Sequence, residues 1–209
     1  MKATFTLFLF VLIGTVSAIF SQTVTIGTQT WMTENLNVST FRNGDEIPEV
    51  RTDEEWRKAG ENQQPAWCYY NNDPKKGAEY GKLYNWYAVS DSRGIAPVGY
   101  HIPSDAEWTI LSDYLGGEVA AGTKMKSISG WENEGNGTNS SGFSGLPGGF
   151  RHSNGTFFSN SIGYSGLWWS STELLTEWAW LRSLYYNYGD VLGFLDDKEN
   201  GFSVRCLRD

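Results

Sequence analysis

The sequence predicts an α+β domain rich in irregular loops, and three observations lead there. The stretch from Gly142 to Thr172, GFSGLPGGFRHSNGTFFSNSIGYSGLWWSST, interleaves glycine and serine with large aromatics. Tight turns and half-buried strand residues therefore follow one another within a few positions. Two capping boxes, Thr52-Asp53-Glu54-Glu55 and Ser104-Asp105-Ala106-Glu107, mark helix starts. Trp178 to Tyr186 alternates as a strand does, with Trp178, Trp180, Leu184 and Tyr186 on one face and Leu181, Ser183 and Tyr185 on the other. The first set is bulkier and is expected to face the core.

Taken in order, residues 1–18 (MKATFTLFLFVLIGTVSA) carry Lys2, an apolar run from Phe5 to Ile13, and Val16-Ser17-Ala18 as a small-residue cleavage site. That is the pattern of a secretory signal peptide, cut after Ala18 or a few residues on, with residues 19–209 as one domain. The apolar run is shorter than the roughly 20 residues of a membrane-spanning helix. Thr23 to Met32 alternates around Gly27 as a hairpin. Asp53 to Ala59 reads as a short helix with Trp56 inward, ended by Gly60. Pro65 to Tyr70 reads as a strand, stopped by the Asn71–Pro74 turn. In Tyr80 to Val89, the set Tyr80, Leu83, Tyr84 and Tyr87 fits a helix face and the set Tyr84, Trp86 and Ala88 fits a strand; the helix is favoured. The helix opened by Ser104 presents Trp108, Leu111, Tyr114 and Leu115 before Gly116-Gly117 ends it. Past Lys126 the chain reads as strand and turn, with further strands over 190–195 and 201–207.

The formal net charge is −8 at pH 7. Removing the leader takes away a lysine and no carboxylate, so the mature chain is more acidic still. Such a balance argues against a nucleic-acid partner and an anionic membrane surface, both of which call for a basic surface. Two cysteines, Cys68 and Cys206, in an exported chain read first as one disulfide, with a pair of unbonded buried thiols as the alternative.

Catalytic chemistry finds little to stand on. His101 and His152 are the only histidines. His101 lies just before a helix, where a hydrogen-bonded structural role outweighs that of a base, and His152 lies in a turn-rich region. The acids Glu132 and Glu134 raise glycoside hydrolysis, but sequence spacing says nothing about the separation across a cleft that this chemistry requires. The runs Asn71-Asn72-Asp73 and Asp196-Asp197-Lys198-Glu199-Asn200 offer hard oxygen ligands without an EF-hand pattern, and read as solvated turns. No cofactor or metal is expected. The aromatics remain, with 10 tryptophans, 11 tyrosines and 11 phenylalanines. Most must fill the core, yet Leu181, Tyr185, Asn187 and Tyr188 lie on the face or loop that the core-facing set leaves free. Those four are the expected ligand-binding residues.

Several motifs together resemble the Fibrobacter succinogenes major paralogous domain family of secreted and surface bacterial proteins. They are Ile26-Gly27-x-Gln29-x-Trp31-Met32-x-Glu34-Asn35-Leu36, Tyr80-Gly81-Lys82-Leu83-Tyr84-Asn85-Trp86-Tyr87-Ala88-Val89 and Gly99-Tyr100-His101-Ile102-Pro103-Ser104-Asp105-Ala106-Glu107-Trp108. Leu146-Pro147-Gly148-Gly149, Trp168-Trp169-Ser170-Ser171-Thr172 and Gly201-Phe202-Ser203-Val204-Arg205-Cys206 complete the set. Two departures stand out: Tyr100 where members often have tryptophan, and Ala96 where many have cysteine, which leaves Cys68 as the sole candidate partner for Cys206. The resemblance implies a C-type-lectin-like or formylglycine-generating-enzyme-like fold: a twisted, mostly antiparallel sheet with two or three short helices and long irregular loops. Oxidase chemistry of the latter kind would need a reactive cysteine pair, which Cys206 lacks. Leu146–Gly149 and Trp168–Thr172 then read as the folding frame, and the recognition surface lies near Tyr185. The expected function is a secreted or cell-surface, non-catalytic binding or adhesion module for a polysaccharide or a surface protein. The rival is a secreted carbohydrate-active enzyme with an unrecognised carboxylate pair.

Overall fold

The computed structural model describes residues 22–159 and 161–209, so the signal-peptide reading of residues 1–18 lies outside the described residues. Strands β1 (Thr23–Ile26) and β2 (Gln29–Met32) form the expected hairpin, with Val24 opposite Trp31. Helix α1 (Asp53–Glu61) opens on a complete capping box, Thr52 accepting from the Glu55 amide and Glu55 reaching back, and turns Trp56 into the core. Strand β3 (Trp67–Cys68), helix α2 (Pro74–Tyr80), strand β4 (Leu83–Tyr84) and the short helix α3 (Trp86–Val89) follow. After β5 (Tyr100–His101) comes α4 (Asp105–Tyr114), capped by Ser104 and Glu107, and then α5 (Glu118–Met125). The long strands β6 (Ser165–Glu173), β7 (Trp178–Tyr185) and β8 (Leu192–Asp197) precede the closing β9 (Leu207–Arg208).

The strands make three antiparallel sheets, ordered β1-β2-β9-β5, β3-β4 and β6-β7-β8. The architecture is α+β, but among the described residues it has five short α-helices and separate small sheets where the sequence suggested two or three helices and one sheet. The favoured helix over Tyr80–Val89 is corrected as well. Gly81 (φ +73°) ends α2, Leu83 and Tyr84 pair with β3, and Asn85 starts α3 by accepting from the Ala88 amide through its side chain.

The β6-β7-β8 sheet runs between two apolar clusters, and its alternation sorts residues between them. Leu167, Trp169, Ala179 and Leu181 pack with Tyr84, Phe202 and Val204 on one side. Trp168 and Leu184 pack with Trp31, Trp108 and Phe143 on the other, beneath α4. Both faces of β7 are thus covered, which corrects the assignment of faces along it. Leu181 is only 1% exposed, whereas Trp178, at the outer end of the β6–β7 hairpin, is 44% exposed. A polar hub ties the sheets together. The side-chain oxygen of Asn35 accepts from Trp168 Nε1 at 2.8 Å and from Arg205 Nη2 at 2.8 Å, and the buried Arg205 also donates to Met32 O. Trp168 and Trp169 belong to the buried frame, as their motif suggested.

The expected disulfide is not present: Cys68 and Cys206 are both free and buried. The β3–β4 ribbon separates them. Its Cys68/Leu83 face packs with Val50 and Trp56, while its Trp67/Tyr84 face packs in the cluster that holds Cys206. Burial pushes both thiols up to about 12.

Candidate ligand-binding cleft

Strand register places Ser165 and Leu167 of β6, Leu181 and Tyr185 of β7, and Phe194 and Asp196 of β8 on one face of the sheet. The chain packs over the middle of this face through Phe202 and Phe150 and leaves its margin open. Two cavities lie there. The first, about 340 Å³, is walled by Phe150, Phe158, Tyr164, Tyr185 and Tyr186, with Ser159, Ser161 and Ser165 between the rings. The second, about 260 Å³, is lined by Leu167, Leu181, Tyr185, Phe194, Leu195 and Asp196. Tyr185 lines both.

Local structure fixes these rings. The Tyr70 hydroxyl donates to Phe158 O at 2.6 Å and anchors the loop that carries Phe158. That loop closes against Gly149 (φ +66°), where a Cβ would stand 2.7 Å from the Tyr70 ring and from Ser161 Oγ, so only glycine fits. Phe158 lies 5.6 Å from Phe150, and Tyr164 meets Tyr186 edge-on at 5.0 Å. Phe158 remains 58% exposed. Asp196 closes one end, accepting from the Asp197 amide at 2.9 Å and from Asn200 Nδ2 at 2.8 Å. Burial holds its carboxyl above the usual range, and burial together with the nearby Asp196 charge raises the Tyr185 phenol. Among the described residues no lysine, arginine or histidine lines either cavity.

Of the four residues expected to bind ligand, Tyr185 stands at the centre of the cleft and Leu181 forms part of its floor rather than an exposed contact. Asn187 and the 54% exposed Tyr188 occupy the turn after β7, outside both linings. Sequence reasoning missed Phe150, Phe158, Tyr164 and Ser165, which lie in the glycine-aromatic stretch between the two motifs read as the frame. The available signal was position. These rings stand between the two framing motifs Leu146–Gly149 and Trp168–Thr172, outside either one.

The acids gather elsewhere. A separate cleft of about 250 Å³ is lined by Glu61, Glu177, Asp197, Glu199, Gln63 and Tyr87, among others. Burial, then the charges of Asp197 and Glu61, raise the Glu199 carboxyl. Glu132 and Glu134 are exposed and belong to neither cleft. His101 is clasped at 2.8 Å by Asp209 and at 2.9 Å by Glu107, the carboxylate that caps α4. Among the described residues no group of three or more His, Cys, Asp or Glu is placed to hold a metal ion.

Short antiparallel sheets, helices opened by capping boxes and a loop-walled aromatic cleft define an α+β domain. The chain belongs to the Fibrobacter succinogenes major domain family, whose model matches residues 24–208. No curated protein and no solved structure gives a significant match to it.

Proposed function

We propose that this protein is an exported, non-catalytic binding or adhesion module that takes its ligand, a polysaccharide or a surface protein, in the cleft around Tyr185. The observation that carries this reading is the run of rings on one sheet margin, continuous through Tyr185 and held by a buried frame. Rigid aromatics interleaved with small hydroxyl residues give large contact area at low entropic cost. A C-type-lectin-like arrangement, in which loops on a fixed sheet carry the contacts, fits this use. The leader pattern of residues 1–18 supports delivery to the exterior or the cell surface. Among the described residues no helix is long and apolar enough to cross a membrane.

The test is to screen the mature chain on polysaccharide and surface-protein arrays beside Tyr185→Ala and Phe158→Ala. The expected outcome is that each variant loses most of the wild-type signal while its melting temperature stays close to that of wild type. Signals that survive both substitutions would refute the cleft as the binding site.

One observation favours a second reading. Four carboxylates share the acidic cleft, and burial together with the charges of Asp197 and Glu61 raises Glu199, the kind of tuning that acid-catalysed glycoside cleavage uses. Among the described residues, Asp196 is the one carboxylate that lines the cleft around Tyr185.

A further inference from the structure

We propose that the cleft takes an uncharged polysaccharide chain, seating neighbouring sugar rings on either side of Tyr185; this rests on the cleft being the binding site. The two cavities open on one face of the sheet, since Ser165, Leu167, Leu181, Tyr185, Phe194 and Asp196 share that face by register. A ligand that fills both must cross the Tyr185 ring, so the site suits a linear chain. Each cavity, about 340 and 260 Å³, stands near the lower end of the roughly 300–1,000 Å³ of small-molecule pockets and suits a unit of sugar-ring size.

The lining matches the two chemical sides of such a unit. A pyranose has an apolar C–H face and a hydroxyl rim. The first cavity has phenyl and phenol rings for the face and the exposed Ser159 for the rim, while Ser161 and Ser165 are buried with their hydroxyls bonded to Phe158 O and Ser161 O. Charge narrows the class further. No cation lines either cavity among the described residues, Asp196 is the only carboxylate, and the whole chain carries −8. An anionic polymer would find no counter-charge there and would be repelled on approach.

An extended peptide is the competing occupant, because β8 pairs only with β7 among the described strands and leaves an open edge. That edge strand contains Gly193, Asp196 and Asp197, residue types that discourage strand addition. A glycan needs no backbone pairing.

The experiment is affinity electrophoresis of the mature chain in gels containing hydroxyethyl cellulose, mixed-linkage glucan, xylan or galactomannan, with carboxymethyl cellulose and pectin as anionic counterparts. Titration with oligosaccharides of increasing length would follow for whichever neutral polymer retards the protein most. The expected result is retardation by at least one neutral polymer and weaker retardation by the anionic ones. Affinity should rise about tenfold from one sugar to two or three, and Phe158→Ala should lower it by up to about tenfold. Absence of retardation by any neutral polymer, preference for an anionic one, or affinity independent of length would overturn the assignment. If a peptide or protein binds instead and Tyr185→Ala and Phe158→Ala weaken it, the sugar assignment falls while the cleft stands. If a glycan binds and both variants match wild type, the cleft falls with it.

Discussion

Trp168 illustrates how much one side chain does in this fold. It is 1% exposed, sits edge-on 5.8 Å from Phe143, and donates to the same Asn35 oxygen that accepts from Arg205. Trp168→Ala would open a cavity and remove one member of a buried polar hub, so a loss of about 3–5 kcal/mol is expected from urea denaturation. A loss below about 1 kcal/mol, the scale of a surface substitution, would contradict the core role. The two thiols make a pH-dependent prediction. Burial raises each from the ordinary 9.0 to about 12, so the folded chain keeps protons that the unfolded chain has lost in between. Their contribution is fully present below about pH 9 and is lost as the pH rises towards 12. The buried Arg205, lowered to about 9 by burial, contributes with the opposite sign. The informative quantity is therefore a difference: stability should fall less steeply above pH 9 in Cys68→Ala or Cys206→Ala than in wild type. Equal slopes would mean that the thiols are not buried as neutral groups.

At the scale of elements, legibility followed local chemistry. Helices α1 and α4 were readable because their capping boxes are local signals, and the β1–β2 hairpin because its alternation and turn are contiguous. Helix α5 was not readable: Gly117 caps it without a side-chain hydrogen bond, and Gly122 stands inside it. Packing explains Gly122, since a Cβ there would lie 2.0 Å from Asp190 O on the loop that follows β7. Gly122→Ala gains about 1 kcal/mol of helix propensity but forces backbone apart. A net loss of about 1–3 kcal/mol, read from the melting temperature, is expected. A more stable variant would show that the α5 contact yields easily. The two faces of β7 were separated correctly by periodicity, yet the cover on each depended on Phe150 and Phe202 on one side and α4 on the other, none of them adjacent to β7 in sequence.

Over the whole molecule, the candidate site was half legible for the same reason. Tyr185 could be singled out from alternation alone. Its partners Phe158 and Tyr164 join it only through the register of β6 against β7 and the loop held by Tyr70. Asn187 and Tyr188, neighbours of Tyr185 in sequence, lie outside both cavity linings. The pairing of Cys68 with Cys206 failed because the β3–β4 ribbon stands between two thiols that were close only in expectation. The ring-walled cleft around Tyr185 and the cleft that groups Glu61, Glu177, Asp197 and Glu199 are separate. Mapping a bound ligand by NMR on protein labelled at tyrosine and phenylalanine separates the two most directly, using the strongest ligand from the arrays. The account predicts shifts concentrated at Phe158, Tyr164, Tyr185 and Tyr186, with Tyr87 unmoved. Shifts centred on Tyr87, with the Tyr185 cleft silent, would contradict it.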